Sequence, residues 1–596
     1  MPSRLPIQRF PERTVPALLA ATSRRLPDKV FLRALQPGAP DAPLREITFA
    51  AFERGVRRAA AFLRAAGVGA GDRVLLLAEN SPEWQLFALG AQLLRAEPAA
   101  LFASLAGDPI RDIARRVRPR VAFVSGAGQW EKLAPEAADL ARAGLSAVVT
   151  AAPLAPGTVP PAVRLATAEE ALGEGAPALD PTEAAAATAA VGAEDPFLLL
   201  FTSGTTGRPK GVRLPQRAIV HAIDGGNLAV GRTEEDVGLH FLPFGHVAGH
   251  DQFFLALAQG HALVMASGRE DIDRAFALRP TYLFSVPLVY ERVRTTVLSR
   301  LDGMPGPVRR LALAALDAGA RVRVDGSRSP RDRALAAVAD LLVGRAVRRR
   351  LGGRVAGLFS GGAPASTALF RFFEGLGIPF VELYGMTETA GLVASNLFAG
   401  PRRAGAAGIP TPDHELRFAD DGELLVRGPL LLSGYLEPED AEGAFTGDGF
   451  YRTGDVGRID AEGTLRIDGR KKALMVLSTG KKLSPEPIEQ AIASATPFQG
   501  AVLLGEGRPF VAAAVFVAED HLARLAAEGK DAAEALLAPA RAALPAFSEY
   551  EKPKRLVIIP GAPQDHPALV TPTLKVKRDA LLRWLEPQVE ALYRTT

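Results

Sequence analysis

The run Thr202-Ser203-Gly204-Thr205-Thr206-Gly207-Arg208-Pro209-Lys210-Gly211 carries the strongest local chemistry in the chain. Glycines let backbone N–H groups approach phosphate oxygens, hydroxyls add donors, and Lys210 adds a positive charge. The run reads as a phosphate cradle. No Gly-Lys-Ser/Thr closes it, so it lacks the Walker A spacing of P-loop kinases and GTPases. Far downstream stands Tyr384-Gly385-Met386-Thr387-Glu388-Thr389. Here Tyr384 offers a flat face for a purine, Gly385 brings the backbone close, and Thr387 can donate to a phosphate oxygen. Glu388 is a hard oxygen ligand suited to Mg2+. Together the two segments describe a nucleotide and metal site.

Ser360-Gly361-Gly362-Ala363-Pro364 is another turn of small residues, able to form the other wall of an adenine slot. Tyr451-Arg452-Thr453-Gly454-Asp455 supplies an acid that can accept both ribose hydroxyls, and Asp468-Gly469-Arg470-Lys471-Lys472 a cation near the same nucleotide. Pro572-Thr573-Leu574-Lys575-Val576-Lys577-Arg578 places lysines on a loop near the C-terminus. Any one of these alone is what an ordinary turn or surface ion pair would give. His246 and His250 have the spacing of a helical metal pair, with Asp251 beside them, but Pro243, Gly245 and Gly249 argue against a rigid helical metal site there.

The elements that must hold these segments follow one rule. The apolar runs Phe197 to Phe201, Val355 to Phe359 and Phe380 to Leu383 read as strands, and a small-residue turn follows each. Earlier, a helical stretch with Phe52, Val56, Ala59, Ala60 and Leu63 on one face ends at Gly67, and the strand Val74 to Ala78 follows. Asn80, Ser81 and Pro82 open another helix, and Ala99 to Ala103, Val121 to Ser125 and Ala147 to Thr150 are further strands. This alternation predicts an α/β fold, with mainly parallel sheets flanked by helices in a large N-terminal part of several subdomains. Residues from about Ala151 to Asp195, rich in Ala, Pro and Gly, read as a surface linker. Val293 to Arg354 is helical and Arg-rich, a solvated face with a membrane surface as the alternative. After Asp420 short strands and tight turns take over, including Glu423 to Arg427, Val511 to Val517 and Leu556 to Ile559, which suggests a smaller α+β domain at the C-terminus.

At 596 residues the chain is long enough for several domains of about 100 to 200 residues each. A formal charge of +4 is too small to imply a nucleic-acid partner. With no cysteine the chain has no disulfide, cysteine-ligated zinc, iron–sulfur cluster or cysteine nucleophile, so any thiol in the reaction comes from outside. Pro2, Pro6, Pro11 and Pro16 break an N-terminus that has no signal-peptide apolar core, and no apolar run approaches the roughly 20 residues of a membrane span. The expectation is a cytoplasmic protein whose membrane contact, if any, is peripheral at the inner face.

As an ordered set, these segments resemble the adenylate-forming superfamily of acyl-CoA synthetases, peptide-synthetase adenylation domains and luciferases, over roughly residues 15 to 590. Leu283 to Val293 and the long helical insertion after it look like the long-chain acyl-CoA synthetases. The resemblance implies an ATP-dependent ligase, with Mg2+, that activates a long-chain fatty acid as its acyl-adenylate and passes it to coenzyme A. Loading of an acyl carrier protein, another carboxylic acid, and a sensor without catalysis are the alternatives. A homodimer is left open. The implied domains are 1–469, for ATP and acyl group, and a mobile lid, 470–596.

Carried over, the resemblance assigns Thr202, Ser203, Gly204, Thr205, Thr206, Gly207 and Lys210 to the ATP phosphates. Gly361, Gly362, Ala363 and Pro364, with Glu382, Leu383, Tyr384, Gly385, Met386 and Thr387, go to adenine and the α-phosphate. Glu388 becomes the Mg2+ ligand, and Asp455 and Arg470 hold the ribose. Lys472 is the hinge, Lys575 the lysine that contacts carboxylate and α-phosphate in adenylation, and His246 lies between acyl pocket and thiol entrance. Gly480, Lys481 and Lys482 belong to the coenzyme A tunnel. The chain departs from similar proteins at Ala473, Leu574 and Lys482, where an acid, a Gly and an Asn are common.

Overall fold

The computed structural model describes residues 9–35, 44–202, 208–266, 271–400, 402–471, 475–545, 547–571 and 576–594. Ser203 to Gly207, Lys472, Ala473, Leu574 and Lys575 lie outside them.

Two large sheets build the first two thirds of the chain. One has eight strands, in the order Gly434–Tyr435, Lys210–Pro215, Pro196–Thr202, Glu97–Leu101, Arg73–Leu77, Val121–Val124, Ala147–Thr150 and Arg164–Thr167. From Pro196–Thr202 onward all its pairings are parallel, whereas Lys210–Pro215 turns back as an antiparallel neighbour. The second has nine strands, and its parallel middle runs Phe380–Tyr384, Gly357–Ser360, Tyr282–Ser285, Val237–His240, Ala262–Met265 and Val30–Ala34. Strands such as Arg73–Leu77 are apolar along their length because helices cover both faces of a parallel sheet. The helix Pro82–Leu93 starts where Ser81 accepts a hydrogen bond from Trp84 N, and it buries every residue except Glu83.

A four-stranded antiparallel sheet, Glu415–Phe418, Glu423–Arg427, Tyr451–Ile459 and Leu465–Arg470, follows. Leu424, Val426, Tyr451 and Leu465 of this sheet join the large apolar core of the preceding sheets, so the textural change after Asp420 does not start a separate core. From Met475 onward the apolar residues gather in two clusters of their own around the strands Phe498–Leu504, Ala512–Val517 and Leu556–Pro560.

The linker expected at 151–195 is structured. Strand Arg164–Thr167 closes the edge of the eight-stranded sheet, and the helices Ala168–Leu172 and Pro181–Ala190 follow. The second helix buries only Ala184, so it has no apolar period to read. Alanine's high helix propensity and the capping box of Asp180 and Glu183 form it instead. Val247–Gln259 is helical through Gly249, with His246 as its N-cap. Among the described residues, no helix is long and apolar enough to cross a membrane.

Candidate active site

Several of the sequence motifs meet where parallel strands end. The Tyr384 hydroxyl donates to Asp455 Oδ2 at 2.7 Å, and Arg470 Nε stands 3.0 Å from Asp455 Oδ1. Asp455 and Arg470 face each other directly across two antiparallel strands. A carboxylate has about four acceptor positions, enough to serve vicinal hydroxyls alongside protein partners. Burial and the adjoining Asp455 charge push the Tyr384 hydroxyl far up, which keeps it a donor.

Ser285, Ser360 and Glu382 are aligned across three neighbouring strands, Ser285 opposite Ser360 and Ser360 opposite Glu382. Each has a buried side-chain oxygen without a hydrogen-bond partner among the described residues: both serine hydroxyls and Glu382 Oε2. Glu382 Oε1 accepts from Ala365 N at 3.1 Å, and burial pushes the carboxyl up to about 8. Orphaned polar atoms in such a row cost stability unless a ligand satisfies them. Beside them Gly362 takes a left-handed φ of +79°, and a Cβ on Gly385 would meet the Gly391 carbonyl oxygen at 2.1 Å. The turn after Tyr384 therefore requires glycine.

Glu388 lies half-buried in the 3-10 turn Thr387–Thr389. Burial pushes its carboxyl up, while Arg470, a hydrogen bond from Tyr451 and Lys210 act the other way. The hydroxyls of Tyr435 and Tyr451 are 3.2 Å apart, and burial together with the Glu388 charge keeps both protonated. Lys210 opens the strand Lys210–Pro215, its Nζ 3.5 Å from Asp440 Oδ1 and 5.6 Å from the centre of the Tyr435 ring. Among the described residues no group of three or more His, Asp or Glu could cage a metal. A single carboxylate suffices for Mg2+, which keeps water and substrate phosphates as most of its ligands. Thr202 ends its strand directly opposite Lys210, so the two fasten the ends of the cradle.

His246 Nδ1 accepts from Ala248 N at 3.2 Å, which places its proton on Nε2. His250 Nε2 donates to the Phe244 carbonyl at 2.7 Å, and burial pushes its pKa down to about 3. It sits among the rings of Trp84, Phe244, Phe197 and Phe254, a core histidine. Asp251 packs against Gly391, and burial pushes its carboxyl well up. Gly480 and Lys481 belong to the turn between strands Met475–Val476 and Lys482–Leu483, and Lys481 lies 4.5 Å over the Tyr550 ring. Those partners are in the C-terminal unit, away from Tyr384 and Asp455 in sequence and core.

Sequence reasoning missed Tyr435, the role of Ser285, and a polar latch between the two parts of the chain. Glu291 Oε1 accepts from the Ser494 hydroxyl at 2.7 Å and from the Ser366 hydroxyl at 2.8 Å, and Arg294 donates to the Ser494 carbonyl. No spacing signals such contacts, because their partners lie up to 203 residues apart.

Residues 19–436 match the AMP-binding enzyme family, and residues 472–596 match the AMP-binding enzyme C-terminal domain. The long-chain-fatty-acid–CoA ligase FadD15 of Mycobacterium tuberculosis is 31% identical, over 97% of each chain. The peroxisomal long chain acyl-CoA synthetase 6 of Arabidopsis thaliana is 30% identical over 67% of this chain and 61% of its own. In fold, the adenylation domain of a Mycobacterium chelonae carboxylate reductase superposes with a TM-score of 0.77 at 21% identity, covering 98% of this chain and 92% of that one. ATP-bound MatB of Rhodopseudomonas palustris gives a TM-score of 0.67 at 22% identity, over 96% and 99%.

Proposed function

The chain belongs to the AMP-binding enzyme family, and we propose that it is a long-chain fatty acid–CoA ligase that forms acyl-CoA, AMP and pyrophosphate from a fatty acid, ATP and coenzyme A. The relatives named long-chain-fatty-acid–CoA ligase, which match across the whole chain, support the acid and the acceptor. The observation that carries the reading in the structure is the row of unsatisfied oxygens on Ser285, Ser360 and Glu382, set beside the Tyr384–Asp455–Arg470 chain. The row suits the polar edge of a base, and Asp455 in the neighbouring chain suits a ribose.

A carboxylate is a poor electrophile because its charge is delocalised. Its oxygen attacks the α-phosphorus of ATP, pyrophosphate leaves, and the mixed anhydride that results has AMP as a leaving group. A thiol sulfur then bonds to the acyl carbon, and AMP departs with the anhydride oxygen. In this reading Asp455 and Arg470 fix the ribose, Thr202 to Gly207 with Lys210 surround the phosphates, and Tyr384 covers the base. Mg2+ would be held by Glu388 and would neutralise charge on the phosphates. Lys575 adds positive charge at the reacting phosphorus, and Thr387 a hydroxyl. His246 borders the path of the thiol. We place the division at 469/470, with the small unit turning about Lys472 so that Gly480, Lys481 and Lys482 approach the phosphopantetheine.

Pyrophosphate release from ATP, measured over a panel of fatty acids, tests the first half. Greatest release with acids of palmitate or oleate length is expected, and a maximum on acetate or benzoate rejects the long-chain reading. Thioester formation with coenzyme A against an acyl carrier protein tests the second.

A further inference from the structure

The segment 293–354 holds fourteen arginines and no lysine, against five aspartates and no glutamate, more positive excess than the whole chain's +4. The structure shows where that charge goes. All five aspartates are already engaged: Asp302 by Arg309, Asp317 and Asp332 by Arg321, Asp325 by Arg371, and Asp340 by Arg348. Arg310, Arg333, Arg349 and Arg350 are exposed, and among the described residues they have no acidic partner within ion-pair distance.

The same segment carries most of the large apolar side chains exposed among the described residues. Of the seven large hydrophobic residues found exposed among the described residues, five lie here: Met304, Val308, Leu311, Leu313 and Leu341, with exposures of 36% to 57%. Val308 and Leu311 are three apart on the helix Gly306–Arg323, and Met304 stands in the turn before it. The inner side of that helix is fully used, because a Cβ on Gly319 would meet the Gly375 carbonyl oxygen at 2.2 Å. The helix is thus seated on the fold by one side and presents leucine, valine and unpaired arginine on the other.

We propose that this face docks on an anionic lipid bilayer, the apolar residues entering the headgroup region and the unpaired arginines meeting lipid phosphates. Large apolar side chains and arginine exposed on one helix are the composition of an interfacial helix, and unpaired arginines select an anionic surface. The preceding helix, Pro287–Asp302, has 16 residues and spans about 24 Å. Val286, at its start, is the side chain nearest a Cβ on Gly362, so the helix leads from the wall of the nucleotide site to the proposed membrane face. Docking rests on the surface alone. Its use in collecting acids from the bilayer rests on the long-chain reading above.

The test is co-sedimentation of the full-length protein with vesicles of phosphatidylcholine, with and without phosphatidylglycerol, at low and high salt. Binding to the anionic vesicles at least about tenfold tighter than to neutral ones is expected, weakening with salt. Arg310→Glu/Arg349→Glu/Arg350→Glu should lose that preference, and Val308→Ser/Leu311→Ser should lose the part of the binding that survives high salt. Both variants should release pyrophosphate normally from a detergent-dispersed acid, which shows that they fold and separates this test from the substrate reading. No vesicle binding, equal binding to neutral vesicles, or binding that neither variant changes overturns the proposal. So does polyglutamate binding as tight as vesicle binding and indifferent to Val308→Ser/Leu311→Ser, which would assign the face to an acidic protein.

Discussion

The Tyr384 hydroxyl reaches Asp455 across 71 residues of sequence and joins the end of a parallel strand to an antiparallel one at 2.7 Å. Tyr384→Phe keeps the ring and removes the donor, leaving a buried carboxylate one bond short. A stability loss of about 1 to 3 kcal/mol is expected, with a several-fold higher KM for ATP. Chemical denaturation and pyrophosphate release measure the two, and wild-type values in both would show that the bond does not support the nucleotide site.

Glu388→Ala should leave the fold intact and cut pyrophosphate release by at least about a hundredfold, because the metal on the phosphates loses its protein oxygen. Titrating Mg2+ at saturating ATP is the decisive readout. A variant with the wild-type Mg2+ dependence would remove Glu388 from the metal's surroundings.

Glu382 gives a pH signature. Its carboxyl is held at about 8 against an ordinary 4.5, so the folded protein binds that proton more tightly than the unfolded chain does. Its effect on stability is therefore most favourable below the ordinary value and is lost as pH rises toward about 8, by up to about 1.4 kcal/mol per unit. Glu382→Gln cannot ionise. Without nucleotide its Tm should exceed wild type near pH 8, with the gap closing toward about pH 5. A gap that does not change with pH would mean that Glu382 is already ionised in the fold.

Lys575→Ala should lower acyl-adenylate formation by orders of magnitude while thioester formation from preformed acyl-adenylate and coenzyme A stays near wild type. Lys472→Pro should do the reverse by restricting rotation at the hinge. Equal losses in both half-reactions of folded Lys575→Ala would refute a role confined to adenylation.

Glu291→Ala removes the acceptor that holds Ser366 and Ser494 together. Because this contact joins the two parts of the chain in one relative pose, its loss should change one half-reaction several-fold more than the other. Separate assays of the two steps would show it, and equal effects would make the contact purely structural.

The strand-then-turn motifs were legible because each catalytic turn follows a short apolar run, and a buried parallel strand leaves that mark in a sequence. What was not legible depends on distance. Nothing near Ser285 announces that it faces Ser360 and, beyond it, Glu382, since only sheet order brings them level. Tyr435 stands in a two-residue strand, too short for any period. Residues 151–195 misled for the opposite reason, their helix being built from alanine and caps and not from a buried face. Ser203 to Gly207 and Lys575 rest on motif and resemblance alone.

Arg470 is the last residue of its strand and stays level with Asp455, two positions ahead of the proposed pivot. The proposed grip on the ribose therefore has Asp455 in the larger part of the molecule and Arg470 just past the division but still ahead of the turning point. In the proposed turn of the smaller part, the nucleotide half of the anhydride has no reason to let go, and an order of departure follows. Pyrophosphate goes first, the thioester is made over a nucleotide that has not moved, and AMP remains to compete with the next ATP. In steady-state terms the proposed ribose grip predicts that AMP is a competitive product inhibitor, and that reopening of the clamp is the event that readies the enzyme for another cycle.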